Sequence, residues 1–381
     1  MSTLKVNTIN AATSGQAVDV DVKSPKSFRN LVINGGMTIN QRNGTYTAGD
    51  YCLDRYRADE TTDGAVSITH SGVVPDGFAN SLRVAVTTAD TSLSGTQYAD
   101  LYQYFEAQNL RQLAYGTSSA KSMVLSFYVR SNKTGNYGVT LWQNDNSNKQ
   151  LSLQYTINSA NTWERKTLTI PADTSGVINN DNGKGLTIYW ILASGTTYSS
   201  GSPHTSWTTY ANSDFAAGQE VNLMDSTSND WYITGVQLEV GDVATDFEHR
   251  SYGDELARCQ RYFVQYDRGG STSDDGLTSG LCNVVAGSAD DCFGFLQLPT
   301  CMRAAPTIAY SSADHFETTR VFSGTNVVGG TIYIAYNSVQ PHHSIYLRTA
   351  HNPNPSFSGG DTFNLRMKNQ TAAVMSFSAE L

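Results

Sequence analysis

The 381-residue chain predicts an all-β protein: a jelly-roll sandwich, a short linking helix, and a second, smaller β-sandwich domain. Three observations carry that prediction. Charged residues make up 15% of the chain, against roughly 25% in an ordinary soluble domain, while Gly, Ser, Thr, Asn and Tyr are abundant, a mix that favours strands and turns over helices. Apolar residues recur at every second position in one segment after another, the period of a half-buried strand. Only the stretch from Ser251 onward carries convincing helix signals.

Residues 1–28 hold little apolar material. Leu4, Val6 and Ile9 alternate over too short a run to fold alone, so this segment is expected to order only against another surface. Over 29–250 the alternation is sustained by Leu82, Val84 and Val86, by Met123, Leu125, Phe127 and Val129, by Leu151, Leu153, Tyr155 and Ile157, and by Leu186, Ile188, Trp190 and Leu192. Turn-rich links at 131–138, 144–148 and 179–185 separate these runs, so consecutive strands are expected to be antiparallel. The economical architecture is a two-sheet jelly roll whose first and last strands, near 31–39 and 231–240, lie side by side. Val236, Leu238 and Val240 alternate with Gln237 and Glu239, and then the period changes. Ser251 stands three residues before Asp254, and Tyr252, Leu256, Cys259 and Phe263 follow at helical intervals, with Arg258 and Arg261 near the end. A linking helix over 251–265 is expected, its Leu256 and Phe263 stripe either packed on its own domain or shared between chains. A Gly-, Ser- and Asp-rich surface link follows, and residues 266–381 read as the second β-domain. No 20- to 50-residue period recurs, which argues against a solenoid.

The wording of particular segments adds to this pattern. GVQLEVGDVATDFEHRSYGDELARCQRYF, Gly235 to Phe263, resembles phage tail-fibre and receptor-binding proteins, in which a strand G-V-Q-L-E-x-G runs through A-T-x-F-E-x-R into a helix ending C-Q-R-Y. The opening STLKVNTI and the segment FRNLVINGGMTINQRNG resemble the starts of short tail fibres from phages of marine and cyanobacterial hosts, and the terminal SFSAEL is similar too. The resemblance implies a homotrimeric virion protein of the phage tail, assembled in the host cytoplasm. Residues 1–28 would join the tail or a baseplate or adaptor protein through Leu4, Val6 and Ile9, with Leu256 and Phe263 at the oligomer interface. A distal domain would meet a glycan or protein receptor on the host surface. Tyr333, Tyr336 and Tyr346 stand near polar loops containing His342, His343 and His351, the composition of an adaptable binding surface, so these six are the candidate receptor-binding residues.

Two other functions stay open. One is a carbohydrate-binding decoration or adhesin, since the jelly roll resembles the carbohydrate-binding modules attached to many glycoside hydrolases. Trp142 and Trp207 would then be the exposed tryptophans, with Trp190 and Trp231 in the core. Those modules often hold a structural calcium, but Met37, Thr38, Thr234 and Gly235 stand where its carboxylates are expected. The other is a polysaccharide-degrading tail enzyme, which requires an acidic pair in a cleft. Asp274 with Asp275 and Asp290 with Asp291 are adjacent and would point to opposite faces of a strand. No GxSxG, HExxH, phosphate loop or cofactor fingerprint is present, so neither enzyme activity nor a cofactor is expected. Adjacent His342 and His343 would splay apart on an extended chain, so a metal site with His351 is not expected. The net charge of −9 argues against a nucleic-acid or anionic-membrane partner, and no signal peptide or transmembrane run is evident. The five cysteines have no CxxC spacing, so neither a zinc site nor a disulfide framework is suggested.

Overall fold

A computed structural model describes residues 29–145, 148–267, 280–287, 291–312, 315–320, 326–327, 333–339, 342–350, 361–367 and 373–381. Leu4, Val6, Ile9 and His351 lie outside the described residues, as do Asp274, Asp275, Asp290 and most of the expected surface link. The jelly roll is formed by two antiparallel sheets. One runs β1 (Asp50–Tyr51), β2 (Arg57–Glu60), β5 (Tyr98–Glu106), β10 (Lys184–Ser194), β7 (Gly135–Gln143), β8 (Lys149–Ile157) and β11 (Thr208–Thr209); the other runs β3 (Ala65–Ser71), β4 (Ser81–Thr88), β12 (Asp230–Val240), β6 (Met123–Ser131) and β9 (Glu164–Ile170). The alternating apolar positions all turn inward. Leu101, Leu141, Ile188 and Trp190 from one sheet meet Leu82, Val84, Leu125, Phe127 and Leu238 from the other. Trp190, wholly buried, lies against Phe127 and Tyr56 at ring-centroid distances of 6.1 and 6.5 Å, and Trp231 donates Nε1–H to the Tyr155 hydroxyl at 3.1 Å. Full burial of each Leu, Ile, Val or Phe in this core contributes roughly 1.5–3 kcal/mol.

The ends of the jelly roll do lie together, but 31–39 is not a regular strand. Leu31 N–H donates to the Leu238 carbonyl, and Val236 N–H to that of Gly35, both at 2.9 Å. The chain takes left-handed conformations at Asn34 (φ 61°), between those bonds, and at Met37 (φ 55°), just past them, which breaks a continuous ladder. The expectation of one buried face for β12 also needs correction, because Gln237 and Glu239 are buried as well. The following turn folds over them: Glu239 accepts from Thr245 N–H at 3.0 Å and pairs with Arg29 at 3.1 Å, while the Gln237 side-chain carbonyl accepts from Glu248 N–H at 2.7 Å.

The linking helix α2 (Tyr252–Gln260; a single turn, Thr196–Ser199, is α1) starts where the spacing predicts, with the Ser251 hydroxyl accepting from Asp254 N–H at 3.2 Å. It is shorter than 251–265. Tyr262, Phe263, Val264 and Tyr266 are strand-favouring residues, and β13 (Phe263–Asp267) pairs with β22 (Val374–Ser378), Phe263 facing Ser378. Phe263 is therefore a strand residue, 7% exposed, under the Arg42 guanidinium at 3.7 Å. The helix buries Glu255 and Cys259; Leu256 is half-buried and Tyr252 exposed. β13, β22 and β16 (Thr307–Tyr310) form a three-stranded sheet. The rest of the second domain is a seven-stranded sheet in the order β18 (Asn326–Val327), β17 (Phe316–Arg320), β21 (Thr362–Met367), β14 (Gly280–Ala286), β15 (Asp291–Gln297), β20 (Ser344–Ala350), β19 (Tyr333–Val339). Phe316, Ile345, Leu347, Phe363, Leu365 and Phe377 fill its core. This β-unit thus begins at Phe263, not at 266.

The two domains meet at a polar junction. Arg55, 1% exposed at its side chain, pairs with Glu380 and stacks on the Tyr262 ring at 3.5 Å. Arg42 reaches the same carboxylate at 3.0 Å, Arg261 makes two contacts with Glu106 at 2.7 and 2.9 Å, and Tyr51 donates its hydroxyl to the Leu381 carbonyl at 2.9 Å.

Candidate functional site: an aromatic cleft on the jelly roll

In β5 the sequence YADLYQYFE alternates two faces. Ala99, Leu101, Gln103 and Phe105 point one way, and Tyr98, Asp100, Tyr102 and Tyr104 the other. The register of the sheet gathers more polar and aromatic residues onto that outer face. Asp59 of β2 stands opposite Asp100, Tyr189 of β10 opposite Tyr102, and Trp142 of β7 lies across Thr187 from Tyr104. Tyr198 from α1, and Tyr210 and Phe215 from the segment after β11, complete a cavity of about 190 Å³. That is smaller than the roughly 300–1,000 Å³ of a drug-sized site, so it suits one ring or one edge of a longer ligand.

The walls are held by ring packing. Trp142 stacks on Tyr210 at 4.7 Å and 20° and donates Nε1–H to the Asn148 side-chain oxygen at 2.8 Å. Tyr102 lies 5.1 Å from Tyr104 and 5.0 Å from Tyr189, and Phe215 meets Tyr189 edge-on at 5.0 Å. Such rings give broad apolar surface with hydroxyls at their rims. Burial pushes the Tyr98 phenol up to about 12 and raises that of Tyr102, helped there by Tyr104 and Asp59, so these hydroxyls stay protonated and can donate.

The two carboxylates differ. Asp59 accepts from the Tyr102 hydroxyl at 2.8 Å and from Arg57 Nε at 3.3 Å. Asp100 is 3% exposed, and its Oδ1 has no hydrogen-bond partner among the described residues. Burial first, and then the neighbouring Asp59, push the Asp100 carboxyl well above the ordinary carboxylate range, against the opposing Asp59 backbone hydrogen bond and Arg57. Two cations flank the rings, Arg57 at 5.9 Å from the Tyr102 centroid and Lys184 at 3.7 Å from that of Tyr104. An aromatic surface with one satisfied and one unsatisfied carboxyl can pack a sugar face and bond its hydroxyls.

Of the six residues singled out from sequence, the five that are described lie elsewhere. Tyr333 and Tyr336 are on β19 and Tyr346 on β20, with Tyr336 facing Leu347 and Tyr346 facing Asn337. Tyr346 stacks on Phe293 at 5.8 Å and 14°, beside Phe295, which is 56% exposed. His342 and His343 precede β20, and their carbonyls accept from Met302 and Leu298 N–H at 2.9 Å. The structure thus joins five of the six along one sheet and its turn. Trp207 is half-buried against Tyr115 and donates to the Pro171 carbonyl at 2.8 Å; of the two tryptophans expected to be exposed, only Trp142 lines the cleft. Asp291 pairs with Arg348 at 2.8 Å. The five cysteines are free, and among the described residues no group of three or more His, Cys, Asp or Glu could hold a metal. No described helix is long and apolar enough to cross a membrane. What sequence reading missed was the cleft, although the signal was present: β5 carries three tyrosines and an aspartate on the face opposite its apolar one.

No family model matches the chain, and no curated protein does. Among solved structures it is similar to the enzymatically active domain of bacteriophage CBA120 tailspike protein 4, at 13% identity and a TM-score of 0.32, over 55% of this chain but only 21% of that one. It is also similar to a family 11 carbohydrate-binding module from Clostridium thermocellum in complex with a β-1,3-1,4-mixed-linked tetrasaccharide, at 12% identity and a TM-score of 0.27, over 54% of this chain and 96% of that module. The TmCBM61 module in complex with β-1,4-galactotriose aligns at 11% identity and a TM-score of 0.27, over 56% and 99%. At such scores none of these likenesses bears on what this chain does.

Proposed function

We propose that this chain is a phage tail-fibre protein that binds glycan in the jelly-roll cleft. The observation that carries the binding role is the concave aromatic surface of Tyr98, Tyr102, Trp142, Tyr189, Tyr198 and Tyr210 around Asp59 and Asp100. The tail-fibre role rests on the resemblance of the Gly235 to Phe263 segment, and with it come the proposals of a homotrimer, attachment through residues 1–28 and a place in the virion tail. The protein binds sugar without cleaving it. A second contact surface is favoured by one observation, the exposed Phe295 beside stacked Tyr346 and Phe293 in the distal domain.

The test uses the full chain. Light scattering should give three times the chain mass, and glycan-array binding should be lost in Trp142→Ala and Tyr198→Ala while the fold, followed by circular dichroism, is kept. Binding abolished by Phe295→Ala or Tyr346→Ala instead would move recognition to the distal domain. Release of shortened sugars from a bound oligosaccharide would overturn the non-enzymatic reading, and a monomer at micromolar concentration would overturn the trimer.

A further inference from the structure

The polar floor of the cleft sets which sugars fit it. Asp59 and Asp100 stand directly opposite on adjacent antiparallel strands, where Cβ atoms are about 4.5–5.5 Å apart. One oxygen of the deeply buried Asp100 is left without a partner at that point. A buried polar atom left unmatched costs free energy that a ligand can recover. No Arg, Lys or His belongs to the described lining; the nearest cations, Arg57 and Lys184, lie over the rings of Tyr102 and Tyr104, and Arg57 is already engaged with Asp59. An incoming carboxylate or sulfate would meet two acidic side chains in a lining with no described basic residue. A hydroxyl both donates and accepts, so it can complete Asp100 without adding charge.

Resting on the glycan-binding reading of the cleft, we propose that Asp59 and Asp100 form a specificity clamp for adjacent hydroxyls of an uncharged hexose, and that this clamp rejects uronate and sulfated sugars. Asp100 supplies the buried contact. Asp59, held by the Tyr102 hydroxyl, supplies the second.

The test uses the full-length protein and matched hexasaccharides on β-1,4-gluco, β-1,3-gluco and α-1,4-galacto backbones, each in neutral and 6-carboxylate forms, with affinity read from tryptophan fluorescence and calorimetry. The neutral form of at least one backbone should bind ten times or more tighter than its 6-carboxylate counterpart. Asp100→Leu should weaken that binding by roughly ten- to a hundredfold, the effect of an interaction worth about 1–3 kcal/mol. Asp100→Asn should lose less, because an amide still donates and accepts, and it should narrow the gap between neutral and 6-carboxylate forms, which a merely structural residue would not do. Equal or tighter binding of the 6-carboxylate form, or an unchanged preference in both Asp100 variants, would overturn the clamp while leaving the cleft as the sugar site. Binding unaffected by Trp142→Ala, or absent for every sugar, would overturn the site reading and the clamp with it.

Discussion

Asp100 shows how one residue can serve a site at a cost to the fold. Its carboxyl is raised by burial and by Asp59, so the folded state holds that proton more tightly than the unfolded chain does. The sign follows from linkage: stability falls as pH rises from the ordinary carboxylate range through the folded pKa, and is flat above it. Asp100→Asn removes this titration. Its melting temperature should therefore gain on wild type with rising pH over that window, as differential scanning calorimetry at a series of pH values would show; a constant offset would mean that Asp100 ionises as freely in the fold as in the open chain. Nothing in its immediate sequence marks Asp100 as buried, since RADE and YADLYQY place Asp59 and Asp100 on ordinary strand positions. Burial and pairing come from the neighbouring strands.

At the scale of elements, the alternating strands and the Ser251 cap were legible because each depends on residues within a few positions of one another. Elements that rely on distant partners were not. Phe263 completes a helical spacing in the sequence, yet pairing with Ser378 draws it into β13. The loop after β9 gives another case. Asp173 lies 4% exposed and accepts from Lys149 Nζ at 2.9 Å and from Gln143 Nε2 at 2.8 Å. Burial opposes ionisation there, but the hydrogen bonds from Lys149 and from the Ser175 and Gly176 backbone outweigh it and hold the carboxyl down at about 2. A depressed carboxyl contributes stability that is complete above its unfolded range and is lost as pH falls toward about 2. Lys149→Ala should move the acid-unfolding limb of the protein to higher pH, measurable by circular dichroism between about pH 2 and 5, with little change in shape at neutral pH. An acid limb that stays where it is would assign the stabilisation to the backbone donors alone.

The whole molecule is organised around its junction. The two stretches that most resemble tail fibres inside the chain, FRNLVINGG and GVQLEVGDVATDFEHR, fold against each other: the Asn30 side-chain oxygen accepts from Val32 and Leu238 N–H at 2.9 and 3.1 Å, and Arg250 donates to the Val32 carbonyl at 3.0 Å. The terminal SFSAEL completes the assembly through Glu380 on Arg42 and Arg55. Breaking a buried ion pair by removing one partner costs about 3–5 kcal/mol, because it leaves a charge uncompensated. Glu380 keeps Arg42 when Arg55 is removed, so Arg55→Ala should lower unfolding stability by the lower end of that range, about 3 kcal/mol, in urea titration, and it should expose sites at the domain junction to limited proteolysis. A loss of under about 1 kcal/mol, the range of exposed pairs, would show that the junction is wetter than the geometry gives it. Leu381 and Glu380 thus return to the jelly roll.

The sequence by itself determined the all-β class, the strands of the jelly roll, the inward set of apolar residues and the start of the linking helix. These follow from periods of two and of three to four residues, which local chemistry writes directly into the chain. Only the tertiary structure decided that Asp59 faces Asp100, that Trp142 shares a cleft with Tyr98 and Tyr210, that Phe263 is a strand residue and that Glu380 closes on Arg55. Each of these depends on sheet register or domain docking between segments far apart in sequence, and a one-residue slip in register would turn Asp59, Asp100 or Trp142 to the opposite face of its sheet.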